Sequence, residues 1–354
     1  MQIGIDSFVS SVTDPATGRT LAPAERIAHL LEEVEQADRS GVDTFGIGEH
    51  HRKEFLDSAP PVLLSAAAAR TSKIRLNSAV TVLSAADPVR VFQEFATLDL
   101  VSGGRTEMVV GRGSFTEAFP LFGLKLQDYD DLFAEKLDLL LKIRNHDSVY
   151  WAGRHRPELR GEGVYPRPLQ EQLPIWLGVG GSPESFVRAG TLGLPLMVAI
   201  IGGEPRRFRP LVDLYREAGR KAGHDPEVLR VSVHAPGLVA DSTDEAADAF
   251  YPGYEQMFGR IGRERGFPPP TRASYDATRG PHGALFIGDA DTVAAKIVAT
   301  SEALGGIDRI TLQMTNEILG HDTMLRSIEL LGTVVKPRVA EQFAAASSTA
   351  AAQP

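Results

Sequence analysis

The chain has 354 residues, 37 lysines and arginines against 46 aspartates and glutamates for a net charge of −9, and no cysteine. Such a length holds two average domains or one large barrel, and the acidic balance without a basic tract argues against nucleic acid as a partner. The missing cysteines exclude disulfides, thiolate metal sites and a cysteine nucleophile. The opening "MQIGIDSFVS" has no basic stretch ahead of an apolar core, and no uncharged apolar run approaches the roughly 18 residues of a membrane span. A soluble, cytoplasmic protein without a membrane partner is expected.

Strand-like runs alternate with amphipathic helical patterns along the chain. "QIGIDSF" reads as a strand, and the following "ERIAHLLEEVEQADR" puts Ile27, Leu30, Leu31, Val34 and Ala37 on one helical face. "VDTFGIG" is strand-like and "APPVLLSAAAAR" helix-like. "IRLNSAVTVL" precedes a helix opened by Asp87 as cap with Pro88 in the first position, carrying Val91, Phe92, Phe95 and Leu98 inward. Then come "TEMVVG", a long helix from about Asp128, "LPIWLGVG", a helix from Ser182, "LPLMVAI", a helix near Arg209, "LRVSVHAPGLVA", a helix near Asp244, and "RITLQM" with a helix after His321. About eight strand–helix units predict an α/β fold, a closed (β/α)₈ TIM barrel spanning residues 1–340. Residues 145–173 and 251–284, rich in Gly, Pro, Arg and aromatics, read as loop insertions at the C-terminal face, and 341–354 as a flexible tail.

In a parallel barrel the working face lies at the C-terminal ends of the strands, which draws attention to four motifs. "GIGEHH" ends a strand with Glu49, His50 and His51, a pattern open to metal binding, proton transfer or simple capping. Adjacent residues on an extended segment face opposite ways, so the two imidazoles are poorly placed to share one ion, and no metal site is expected. In "LGVGGSPESFVRAG" a strand ends at Gly180 and Gly181, Ser182 can cap the next helix and Ser185 lies in its first turn, which outlines an anion site. In "GRGSFTEAFPLFG" Arg112 stands between glycines, suited to binding phosphate with two N–H groups. In "LNSAVTVLSAADPVR", Ser78, Ala79 and Val80 offer a flat wall for an aromatic ring system.

These pieces, in this order, resemble the bacterial luciferase-like flavin-dependent monooxygenases from residue 1 to about residue 340. The resemblance implies FMN, bound reduced after delivery by a separate flavin reductase, since the chain has no dinucleotide-binding GxGxxG. It implies dioxygen and a small organic molecule as co-substrates, and a homodimer built on "AAAAR" and the next helix. Arg112, Ser182, Ser185 and the backbone of Gly180 and Gly181 would hold the flavin phosphate, and Ala79–Val80 would form a cis peptide beneath the ring. His50 would be the catalytic acid or base, with Glu49 orienting the site and His51 turned toward the barrel wall. Gly111 stands where luciferases carry a reactive cysteine, so light emission is not implied. Alternatives are hydride transfer with the deazaflavin coenzyme, favoured by the arginines of "GRHRPELR" and "EPRRFRP", and a non-enzymatic FMN-binding barrel.

Overall fold

The computed structural model describes residues 1–351, with side chains for 1–345. In chain order the first half comprises β1 (Gln2–Ser7), α1 (Pro23–Ser40), β2 (Thr44–Ile47), α2 (Pro60–Ala68), β3 (Arg75–Ser78), β4 (Thr81–Val82), α3 (Pro88–Ser102), β5 (Thr106–Gly111), α4 (Ala118–Leu121), α5 (Tyr129–Asn145), β6 (Ser148–Trp151) and β7 (Leu159–Gly163). The second half comprises β8 (Ile175–Val179), α6 (Pro183–Thr191), β9 (Leu196–Ala199), α7 (Arg209–Lys221), β10 (Val231–Val239), α8 (Thr243–Arg265), α9 (Arg272–Arg279), β11 (Phe286–Gly288), α10 (Ala290–Ala303), β12 (Arg309–Gln313), α11 (His321–Leu330) and α12 (Lys336–Ala351).

Eight parallel strands close on themselves in the order β1, β2, β3, β5, β8, β9, β10, β12, with β12 pairing back onto β1 at Gln2–Arg309 through Asp6–Gln313. The expected (β/α)₈ barrel is therefore present. Helix starts follow the sequence chemistry: the Asp87 carboxylate accepts from the backbone N–H groups of Val89 and Arg90, and Gly103 ends α3 in the left-handed conformation.

The barrel interior is partly polar. At its N-terminal end Arg309, fully buried on β12, pairs with Glu107 of β5 at 2.7 Å and lies over the indole of Trp176. Arg75 reaches the same carboxylate at 2.6 Å. Burial opposes ionisation of Glu107, but the two guanidiniums hold its carboxyl below the ordinary range.

Both expected insertions are differently built. Residues 145–173 form the antiparallel β6–β7 hairpin, with Trp151 buried and donating to Asp138 of α5. This segment connects a helix to the next strand, so it leaves from the face opposite the mouth and runs back along α5. Its tip reaches the start of α3 through the Arg156–Asp87 pair. Residues 251–265, expected as loop, continue α8, and Arg272–Arg279 form α9. Pro252 and the glycines lower helix propensity there, but packing decides: a Cβ at Gly253 would stand 2.5 Å from the Asn316 side chain, so the glycine admits close approach. The tail expected from residue 341 begins within α12; residues 352–354 lie outside the described residues.

Candidate active site

A cavity of about 640 Å³ opens at the C-terminal mouth of the barrel. Strand ends and the segments after β2, β5, β8 and β9 form its floor and sides, and the second half of α8 covers it with Met257, Phe258 and Ile261. His50, Ala79, Val80, Arg112, Gly180 and Gly181, all singled out in the sequence, line it. So do Glu49 and His51.

β2 ends at Ile47, and residues 48–51 have no regular secondary structure. His50 is buried, and Asp57, fully buried seven residues later, accepts from both its main-chain N–H (3.1 Å) and its Nδ1 (2.8 Å). The imidazole is boxed by Phe8, Phe55 and Phe115, with centroids 4.4–5.5 Å away. An Nδ1–H held by a carboxylate leaves Nε2 as the nitrogen free to exchange a proton. Burial pushes the Asp57 carboxyl up from its ordinary value, with His50 opposing that shift.

Glu49 has a positioning geometry: one oxygen accepts from the Val82 N–H at 2.8 Å, fastening this segment to β4, and the other meets His51 Nε2 at 3.1 Å. His51 was expected to point toward the barrel wall. It borders the cavity instead, because the strict alternation of a strand has stopped at Ile47 and the ring is turned back onto Glu49 and Phe122.

The Ala79–Val80 peptide bond is cis. Val80 presents its side chain toward β5 and β8 at two glycines, where an added Cβ would lie 2.8 Å from Val80 at both Gly111 and Gly178. Further round the mouth, Arg112 Nη2 lies 3.5 Å from both Ser182 Oγ and Ser185 Oγ. Its other nitrogen pairs with Asp130, and the guanidinium lies over the ring of Tyr129. Ser182 occupies the N-cap position of α6 but makes no side-chain cap bond, so its hydroxyl remains directed to Arg112, while the Ser185 N–H donates to the Ser182 carbonyl at 3.0 Å. A Cβ at Gly180 or Gly181 would meet nothing within 4 Å, which leaves open space against their backbone.

Several site residues escaped the sequence reading. Asp57 sits in "FLDSAPP", ahead of α2, and nothing but its seven-residue distance from His50 hints at a role. His234 on β10 pairs through Nδ1 with Asp6 of β1 at 2.6 Å; one imidazole inside a fully buried strand was a usable signal. Arg52 binds Glu117 at 3.0 Å and Glu264 at 2.5 Å while lying over Phe115, so it ties the segments after β2 and β5 to the end of α8. Arg265 adds a bond to the Ser114 carbonyl at 2.6 Å. Among the described residues no cluster of three or more His, Asp or Glu is arranged to hold a metal ion, and no helix is long and apolar enough to cross a membrane.

Comparison with known proteins bears on this geometry. The 4-hydroxyprotoasukamycin monooxygenase of Streptomyces nodosus subsp. asukaensis is 26% identical over 87% of this chain and 85% of its own. The oxygenating constituent of 3,6-diketocamphane monooxygenase from Pseudomonas putida, solved in complex with FMN, superposes with a TM-score of 0.76 at 20% identity, over 96% of this chain and 99% of that one. An F420-dependent secondary alcohol dehydrogenase superposes with a TM-score of 0.74 at 20% identity, over 96% and 98%. The sequence model of the luciferase-like monooxygenases matches residues 5–307, and with that match the chain belongs to the luciferase-like monooxygenase family.

Proposed function

We propose that the protein is an FMN-dependent monooxygenase that takes reduced FMN from a separate flavin reductase in the cytoplasm and transfers oxygen to a small organic molecule. The observation that carries this reading is the convergence of Ser182 and Ser185 on Arg112, which lines the same cavity as His50, itself held by Asp57. The residues fit the cofactor: two hydroxyls, a guanidinium and unobstructed glycine backbone suit a phosphate dianion, and the apolar wall at Ala79–Val80 suits a flat ring.

Reduced flavin supplies the electrons that activate dioxygen. The protein's part is to hold, shield and move protons. Arg112, Ser182 and Ser185 anchor the phosphate, Glu49 fixes the His50 segment against β4, and Asp57 keeps the proton on Nδ1 of His50 so that Nε2 gives or takes a proton in the cavity. The α8 cover and the phenyl rings of Phe8, Phe55 and Phe115 exclude water.

Titration with FMN and with the deazaflavin coenzyme tests the cofactor directly. FMN binds the parent, and Arg112→Ala weakens it about 10- to 100-fold, the cost of a lost charge-assisted hydrogen bond; unchanged affinity would remove Arg112 from the phosphate site. Preference for the deazaflavin would replace oxygen transfer by hydride transfer on the same barrel. Assembly is proposed as a homodimer through α2 and α3, where Val62, Leu100 and Val101 are exposed. Sedimentation equilibrium at micromolar concentration gives twice the chain mass; a single-chain mass would refute it.

A further inference from the structure

The His234–Asp6 pair lies across Phe8 from His50 and has no part in the scheme above. Asp6 is fully buried, and its Oδ2 accepts from His234 Nδ1 at 2.6 Å and from the hydroxyl of Thr311. The pairing spans the barrel wall, since β12 stands between β1 and β10. The Phe8 ring stacks on His234 at 5.8 Å and meets His50 edge-on at 4.7 Å, so one phenyl separates two imidazoles. His50 lies on the segment fastened to Val82, beside Ala79–Val80, whereas His234 stands on the far side of Phe8. Both border the same cavity.

Resting on the monooxygenase reading, we propose that His234, held by Asp6, is the hydroxyl-binding general base of this chamber, and that the molecule oxidised is a largely apolar phenol. With its Nδ1–H given to Asp6, neutral His234 presents a lone pair at Nε2. A lone pair binds a donor, so it selects a hydroxyl over a ketone oxygen. Of the charged groups on the cavity lining, Glu49 is held by Val82 and His51 and one oxygen of Glu117 by Arg52, Arg112 pairs with Asp130, and Arg265 meets a neutral acceptor, the Ser114 carbonyl. Phe55, Phe115, Met257 and Phe258 offer a ligand apolar and aromatic contact.

The acidity of the hydroxyl narrows the class further. Imidazole and phenol ordinarily titrate about 3.5 units apart, and Asp6 is in place to accept from Nδ1 of the imidazolium that forms. An aliphatic alcohol lies much further away. In the step, the phenolic O–H bond breaks, its proton forms an N–H bond at Nε2, and the oxygen keeps the electron pair. The imidazolium is balanced by Asp6, and the phenolate ring is richer in electrons for oxygen transfer.

4-Nitrophenol serves as the probe, because its phenolate absorbs in the visible. It is titrated about one unit below its free midpoint, against the apoprotein and the FMN-loaded protein, with nitrobenzene as the ligand lacking a hydroxyl. The bound probe shows the phenolate band in the parent. His234→Gln abolishes the band and weakens 4-nitrophenol about tenfold or more, but leaves nitrobenzene and FMN binding unchanged; Asp6→Asn also loses the band. A parent without the band, a band that survives His234→Gln or vanishes only in His50→Ala, or equal weakening of nitrobenzene would each overturn the proposal. Failure of the parent to bind FMN strikes the cofactor reading alone, since the band is read on the apoprotein as well.

Discussion

Replacing Asp57 by Asn changes one atom and tests the proton chemistry assigned to His50. Asp57 is fully buried and accepts two hydrogen bonds from the same residue, at 3.1 Å from the backbone and 2.8 Å from Nδ1. Asparagine keeps one acceptor for the backbone N–H but turns an NH₂ toward Nδ1, which reverses the ring and puts its proton on Nε2. Losing a charge-assisted bond costs about 1.5–3 kcal/mol, or roughly 10- to 150-fold in rate. Tautomer reversal in a comparable carboxylate–imidazole pair of a serine protease costs about 10⁴-fold. The expectation for Asp57→Asn is therefore turnover lowered about 10²–10⁴-fold at unchanged FMN affinity. The assay couples the protein to a purified flavin reductase at saturating FMN and follows peroxide release or, once a substrate is known, product. Parent-like turnover at equal flavin occupancy would refute the reasoning, because a ring in the wrong tautomer cannot accept a proton at Nε2.

Two further outcomes concern stability. Glu107→Gln leaves Arg309 buried with no full counter-charge and destabilises by about 3–5 kcal/mol in urea unfolding; a loss below 1 kcal/mol would mean that the Gln2 side-chain carbonyl suffices around it. Because the Glu107 carboxyl is held below its ordinary value, the parent loses this contribution as pH falls through the acid range, and Glu107→Gln flattens that slope. The carboxylates of Glu33 and Glu32 raise His321 above its ordinary 6.5 despite its partial burial. A base raised in the folded state stabilises fully below 6.5 and loses that contribution as pH rises through its folded value. His321→Gln is expected to lower the unfolding free energy more at pH 6 than at pH 8, by up to about 1 kcal/mol; an equal loss at both would contradict the assignment.

The barrel was legible because each strand–helix unit carries its own local signals: alternation of apolar residues, Asp87–Pro88 at a helix start, glycine at a helix end. The hairpin at residues 148–163 and the long α8 were not, since short irregular strands and a helix containing Pro252 owe their form to what they pack against. The site divided in the same way. Strand-end motifs pointed to His50, Arg112, Ser182 and Ser185, but the partners that give them chemistry are matters of tertiary register. Asp6 and His234 are 228 residues apart in the chain, and no periodicity announces their meeting. Even Ser182 was half legible: its position as a cap is correct, yet its hydroxyl serves Arg112 rather than the helix.

Arg52 makes ionic strength a handle on access to the cavity. Its own side chain is 12% exposed, but the carboxylates it grips, Glu117 and Glu264, are 38% and 39% exposed, so water and salt reach the clasp from outside. Added salt shortens the screening length from roughly 10 Å at 0.1 M to 3 Å at 1 M and weakens such pairs, while the buried His50–Asp57 pair beneath is shielded from it. Rates of ligand exchange and rates of chemistry consequently respond to salt separately, and comparing them in dilute and concentrated buffer distinguishes opening of the roof from events below it without altering a residue.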